Sequence, residues 1–238
     1  MPLKNSKKSF CMNHQNNIER IKTVFNALGE LQSQAVFVGG ATVSLYADVQ
    51  AFEVRETDDV DVIIQLASYP QHVRFEEQLR ERGFVDDVTS HIRGRFNVSG
   101  VTVDVIPTED VAMGFKNIWY PEGFEEAMTH TLDESTDVKI LSAPYFIATK
   151  LEAFKSRGKK DGRTSQDFED IVYVLENRTS IWEEIRGSSE NLKDYLIEEF
   201  KTLLSNPNIY EWVDCHVDFS SPPSTDWILN EFKELVNQ

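Results

Sequence analysis

An apolar run that stops on two consecutive glycines, Val36-Phe37-Val38-Gly39-Gly40-Ala41-Thr42, fixes a buried strand entering a tight turn with room for a helix after it. Seventeen residues after Val38, the segment Arg55-Glu56-Thr57-Asp58-Asp59-Val60-Asp61-Val62-Ile63-Ile64 opens a second apolar strand on a pair of carboxylates. Asp59 and Asp61 stand at i and i+2, so on a strand they point to one face, and Asp58 alternates to the other. Backbone N–H groups at a glycine turn and helix start bind phosphate oxygens. Two carboxylates on one strand face can hold a divalent metal against such a phosphate chain. The pairing of these two segments points to chemistry on a nucleoside triphosphate.

The rest of the chain supports a folded catalyst of this size. Its 238 residues are 40% hydrophobic, with 15 Phe and 4 Trp, which provides a sizeable core and excludes general disorder. Cys11 and Cys215 are far apart and have no metal-type spacing, so two reduced, unpaired thiols are expected. The basic start, Met1 to Lys8, leads into no apolar core of signal-peptide length. No run of about 18 apolar residues occurs, so the reading is cytoplasmic with no membrane span. The net charge of −16 argues against coating duplex DNA, because phosphate contacts dominate that kind of affinity. Half of the excess lies from Ile181 onward, where twelve acidic side chains face four basic ones. Two basic groups run against this trend: Arg80, Arg82, Arg93 and Arg95, and then Lys150, Lys155, Arg157, Lys159, Lys160 and Arg163.

Periodicity predicts a helix over 17–31, a strand over 36–38, a helix over 41–46, a strand over 60–66 and a helix over 70–82 closed by Gly83. Residues 92–98 and 101–106 read as a β-hairpin turning at Ser99-Gly100, with Pro107 ending the second arm. The order implies an α/β (α+β) fold: a small mixed sheet flanked by helices. After a short strand at 138–141 the pattern becomes helical, with helices expected over 143–156 and 165–176 and breaks at Gly187, Pro207 and Pro222-Pro223. The domains are therefore expected at 1–140, an α/β catalytic part, and 141–238, a helical part.

A third carboxylate, Asp104, sits among β-branched apolar residues in Val101-Thr102-Val103-Asp104-Val105-Ile106, where an uncompensated charge costs stability. It is either a water-facing aspartate at a sheet edge or a third member of the carboxylate site. Arg55 either pairs with Asp58 or reaches the nucleotide. Lys150 lies on a helix whose apolar face carries Ile147, Leu151 and Phe154. Asp167 and Asp170, three apart on one helix face, can hydrogen-bond Lys150 or Arg157 from behind. Phe168 and Tyr173 read as core, and the five histidines show no ligand spacing.

The order apolar-Gly-Gly, Asp-x-Asp, later strand aspartate resembles the DNA polymerase β-type nucleotidyltransferase superfamily. The local form Gly39-Gly40-Ala41-Thr42, Leu45-Tyr46, Arg55-x-Thr57-x-Asp59-Val60-Asp61 is similar to the AbiEii-like, toxin-associated nucleotidyltransferases of bacteria. The later Ala148-Thr149-Lys150-Leu151-Glu152-Ala153-Phe154, Arg157 and Asp167-Phe168-Glu169-Asp170 resemble the segment that follows in that group. The likeness covers roughly residues 36–175. Ala41 departs from it, since many superfamily members carry a phosphate-touching serine there.

The resemblance implies a Mg²⁺- or Mn²⁺-dependent nucleotidyltransferase that moves a nucleotidyl group from an NTP to a hydroxyl. It implies catalytic and metal roles for Asp59, Asp61 and Asp104, and nucleotide contacts for Gly39, Gly40, Thr42, Arg55, Lys150 and Arg157, with Asp167 and Asp170 behind them. The acceptor is an RNA end such as that of tRNA, favoured by the basic groups, or a protein side chain. The implied setting is the toxin of a toxin–antitoxin or phage-defence system with a cognate antitoxin. The alternative is a catalytically silent nucleotide- or partner-binding protein of the same fold.

Overall fold

The strand β1 (Ala35–Val38) is buried along its whole length, as a strand apolar on both faces must be. It lies inside a sheet built from β2 (Asp59–Ile64), β3 (Val85–Asp86), β4 (Arg95–Val98), β5 (Val101–Pro107), β6 (Met128–Asp133) and β7 (Thr136–Ile140). The strand order is β3-β4-β5-β2-β1-β7-β6. The pairs β2·β5 and β1·β7 are parallel and the others antiparallel, so the sheet is mixed. This computed structural model describes residues 6–48, 54–66, 68–109, 117–157, 161–218 and 225–237, with side chains from residue 12 onward. Lys159, Lys160, Pro222-Pro223 and the Cys11 side chain lie outside the described residues, and Cys215 is a free thiol.

Contacts divide the chain into two units, Met1–Leu45 with Glu53–Ser142, and Tyr46–Phe52 with Ala143–Gln238. In the first unit, helix α1 (Ser6–Leu28) packs on β2, β4 and β5, with Ile21, Val24 and Leu28 withdrawn from water. It is longer toward its start than the apolar pattern alone predicts. Its buried Asn17 reaches out of the helix: the side-chain amide donates to the Arg55 carbonyl at 3.1 Å, and its oxygen accepts from the Thr57 N–H at 3.2 Å. Arg20 adds a bond to the Thr57 carbonyl and one to Glu56 at 2.8 Å. The irregular entry to β2 is thereby tied to a regular helix.

Helix α2 (Tyr69–Glu81) ends before Gly83, which takes φ +88°. The hairpin turns at Ser99 (φ 49°) and Gly100 (φ 84°), the left-handed pair of a two-residue loop whose twist matches the flanking strands. The helix expected over 41–46 is instead a 3₁₀ segment, Gly40–Tyr46. The Thr42 N–H and hydroxyl both bond back to the Gly39 carbonyl, at 3.2 and 2.9 Å, and this i−3 pattern tightens the turn. Strands β3 and β6 and the short α3 (Tyr120–Glu125) had no apolar alternation to announce them.

The second unit is helical: α4 (Ala143–Arg157), α5 (Gln166–Asn177), α6 (Ile181–Arg186), α7 (Glu190–Leu204), α8 (Ile209–Asp214) and α9 (Thr225–Val236). Ser165 caps α5 by accepting the Phe168 N–H at 3.3 Å. Two aromatic clusters fill the core. Phe154, Phe168 and Trp212 meet with ring centroids 5.2–5.8 Å apart, and Phe200 stacks on Phe232 at 4.3 Å. No helix among the described residues is long and apolar enough to cross a membrane.

One carboxylate in this unit gives a pH prediction. Burial pushes the Glu176 carboxyl up to about 7, opposed by the Asp218 N–H it accepts and assisted by the Asp218 charge. The folded state therefore holds a proton that the unfolded chain releases near its ordinary value of 4.5. That contribution to stability is complete below the unfolded value and is lost as pH rises through about 7. Because the side chain is only half-buried, the loss is set at about 1 kcal/mol. Urea midpoints at pH 5 and pH 8 should show the wild type losing more stability than Glu176→Gln over that interval. Equal losses would contradict the assignment.

Candidate active site

The site of the first unit is assembled by strand register. Val38 on β1 pairs with Asp61 on β2, Asp61 with Asp104 on β5, and Asp104 with Arg95 on β4. Directly paired residues share a sheet face, so two carboxylates and a guanidinium stand in one cross-strand row. Asp59, two residues from Asp61, lies on the same face. Asp104 is on an interior strand, so the sheet-edge, water-facing alternative does not hold; its side chain is 12% exposed. Arg95 compensates the burial, donating from Nε and Nη2 to the two Asp104 oxygens at 2.7 Å each and from Nη2 to Asp59 Oδ2 at 3.0 Å. These bonds, with the charges of Asp104, Asp59 and Asp61, hold the Arg95 proton more firmly than usual despite partial burial.

Beside the row lies the glycine turn. Gly39 takes φ +74°, which disfavours any side chain. A Cβ at Gly39 would overlap the Asp61 carboxylate, whose Cγ lies 2.9 Å from that position. A Cβ at Gly40 would run into the Arg55 guanidinium and come within 2.8 Å of Thr57 Cγ2. The two glycines thus let the backbone receive one acidic and one basic head group at contact distance. Thr42 is fully buried with its hydroxyl committed to the Gly39 carbonyl, so it shapes the turn rather than facing a phosphate.

The second unit gathers the other candidates. Lys150 Nζ lies 3.1 Å from Asp167 and 2.6 Å from Asp170, with all three side chains at most 7% exposed. Arg157 makes a two-pronged contact to Asp167 at 2.9 and 3.0 Å. Burial pushes the Asp167 carboxyl up, but the hydrogen bonds and charges of Arg157 and Lys150 outweigh it and hold it below the usual carboxylate range. Four further members of the two basic groups are also engaged with acids: Arg80 with Glu76 and Asp86, Arg82 with Glu30, Lys155 with Glu152 and Glu199, and Arg163 with Asp161 and Glu211.

Among the described residues, no three His, Cys, Asp or Glu side chains are arranged to hold a metal ion. The row nevertheless fits one chemically. Asp59 and Asp61 supply hard oxygen donors from one strand face, the donor type that Mg²⁺ and Mn²⁺ take. Asp104, by contrast, has both oxygens engaged by Arg95. Sequence reasoning passed over Arg95 as a member of the site and Asn17 as the residue that pins its entry segment.

The model of the family described as nucleotidyl transferase AbiEii toxin, type IV toxin–antitoxin system, matches residues 24–207. The chain belongs to this AbiEii nucleotidyltransferase family. The match includes the glycine turn, the carboxylate row and the Lys150 network, and it continues past residue 175, where the motif resemblance ended.

Among solved structures, an antigenic nucleotidyltransferase-like protein from Paracoccidioides brasiliensis is 17% identical, over 87% of this chain and 95% of its own, with a TM-score of 0.47. The antibiotic-resistance factor ANT(2'')-Ia is 15% identical, over 80% and 96%, with a TM-score of 0.49. A CdnE cyclic dinucleotide synthase of Elizabethkingia meningoseptica, solved with GTP and Apcpp, is 14% identical, over 94% and 90%, with a TM-score of 0.30. No curated protein matches the chain.

Proposed function

We propose that this AbiEii-family chain transfers a nucleotidyl group from an NTP to a hydroxyl acceptor in a Mg²⁺- or Mn²⁺-dependent reaction that releases pyrophosphate. The observation that carries the reading is the in-register row of Asp61 and Asp104, with Asp59 on the same face and the Gly39-Gly40 turn against Asp61. Asp59 and Asp61 would hold the metal. A divalent cation at these oxygens supplies charge for the triphosphate and lowers the pKa of a bound hydroxyl. Gly39 and Gly40 offer backbone N–H groups to phosphate oxygens, and Arg55, packed at Gly40, adds a cation beside them. Once Arg95 lets go of its oxygens, Asp104 draws the proton from the acceptor hydroxyl as the new phosphoester bond forms and the bond to pyrophosphate breaks. Lys150 and Arg157 are assigned to the nucleotide by the family pattern, with Asp167 and Asp170 fixing their position.

The acceptor proposed first is an RNA end, and the setting is the toxin of a toxin–antitoxin pair with a cognate antitoxin. A protein hydroxyl is the second reading, favoured by the carboxylate partners that most of the described basic residues already have. Exposed ion pairs of this kind are worth about 0–1 kcal/mol and exchange readily for phosphate, so they leave RNA first. Incubation with each α-labelled NTP, Mg²⁺ and either total RNA or total protein decides between them. The expected result is label in RNA, falling steeply as salt is raised. Label on protein alone would replace RNA as acceptor, and no label with any NTP would leave the catalytically silent alternative.

A further inference from the structure

We propose that Arg95 is a built-in counter-ion that occupies the carboxylate row in the metal-free protein and must release it before a divalent cation binds. The proposal rests on the metal-dependent reading of Asp59 and Asp61 above. Three carboxylates close together on one sheet face repel each other unless a cation sits among them. For Asp104 and Asp59 Arg95 is such a cation, bonding both oxygens of Asp104 and one of Asp59. The guanidinium thereby bridges two strands, β5 and β2, at the edge of the position a metal on Asp59 would share.

A hard divalent ion on Asp59 and Asp61 would take the Asp59 oxygen that Arg95 now holds, and it would repel a guanidinium lying against the row. The two cations therefore compete, and the site has an arginine-held and a metal-held state. Release needs only a side-chain movement: Arg95 is the first residue of β4, after Gly94 (φ +74°), and its backbone stays held, the Gly94 carbonyl accepting the Val105 N–H at 2.8 Å and the Arg95 carbonyl the Asp87 N–H at 3.0 Å. Its side chain is still 20% exposed and that of Asp59 39% exposed, so the bond between them opens toward water. The arrangement keeps the unloaded row from straining the sheet, and it lowers the affinity for free metal.

The test is a Mn²⁺ titration of the full-length, nucleotide-free protein, followed by electron paramagnetic resonance of unbound Mn²⁺, for the wild type, Arg95→Gln, Arg95→Lys and Asp61→Asn. Each charge-assisted bond that metal no longer has to displace is worth about a factor of ten, so Arg95→Gln should bind Mn²⁺ about tenfold more tightly or better. Arg95→Lys, which keeps the charge but not the fork, should fall between it and the wild type. In chelator, Arg95→Gln should melt below the wild type, and it should gain more from added Mn²⁺. If Asp61→Asn abolishes wild-type binding but both Arg95 variants bind no more tightly than wild type, Arg95 does not compete and the proposal falls alone. If Arg95→Gln does not fold, the Arg95→Lys affinity decides by the same comparison. If wild type and Asp61→Asn behave alike, the metal reading itself fails, and this proposal fails with it.

Discussion

Replacing Asp61 by asparagine is expected to reduce nucleotidyl transfer by roughly 10³-fold or more, because charge stabilisation by a carboxylate-held metal is lost. The fold should survive. Asparagine has nearly the same shape, so the close fit of the side chain against Gly39 is kept, and Val60, Val62 and Ile63, which bury β2, are untouched. The check is the initial rate of α-label transfer alongside a melting curve. Unchanged transfer in the folded variant would remove Asp61 from the chemistry.

Lys150→Met is expected to give the largest stability loss. Asp167 and Asp170 are 7% and 1% exposed, and the Lys150 ammonium stands between them. Taking away one partner of a buried ion pair leaves charge without its counter-charge and costs about 3–5 kcal/mol. Arg157 still compensates Asp167 once the lysine is gone. Arg157→Met should cost clearly less, because that side chain is 68% exposed and Lys150 remains. Adding Asp170→Asn to Lys150→Met should restore part of the loss, since it removes one of the two buried negative charges that the lysine meets. Denaturant unfolding of the four proteins measures this. A Lys150→Met cost below about 1 kcal/mol would mean that water or another group reaches Asp170 once the lysine is gone.

How far the sequence discloses this molecule depends on whether a feature is written locally. β1 and the head of β2 are legible because uninterrupted apolar runs end on turn residues, and α2 because its period ends at a glycine. β6, Met-Thr-His-Thr-Leu-Asp, is an edge strand held by β7 alone, and without a face to bury it carries no alternation. β3 is two exposed residues. The 3₁₀ segment replaced an α-helix because Thr42 satisfies its hydroxyl on the Gly39 carbonyl, a choice a periodicity pattern does not see.

The site divides in the same way. The shared face of Asp59 and Asp61 follows from the two-residue period of a strand. Arg95 was also legible: once Ser99-Gly100 is the two-residue loop, the hairpin pairs Val98 with Val101, Asn97 with Thr102, Phe96 with Val103 and Arg95 with Asp104. Counting back along the hairpin finds the partner of the buried aspartate. Asn17 left no such trace. Its bonds to Arg55 and Thr57 span about forty residues and exist only because α1 docks on the sheet.

The most direct measurement compares α-labelled with γ-labelled NTP in the presence of Mg²⁺ and total RNA, with released pyrophosphate followed in parallel. Nucleotidyl transfer predicts that α-label enters the acceptor in step with pyrophosphate and that γ-label leaves with the pyrophosphate. Transfer of γ-label to the acceptor, or binding of NTP without pyrophosphate release under any acceptor, would contradict the account.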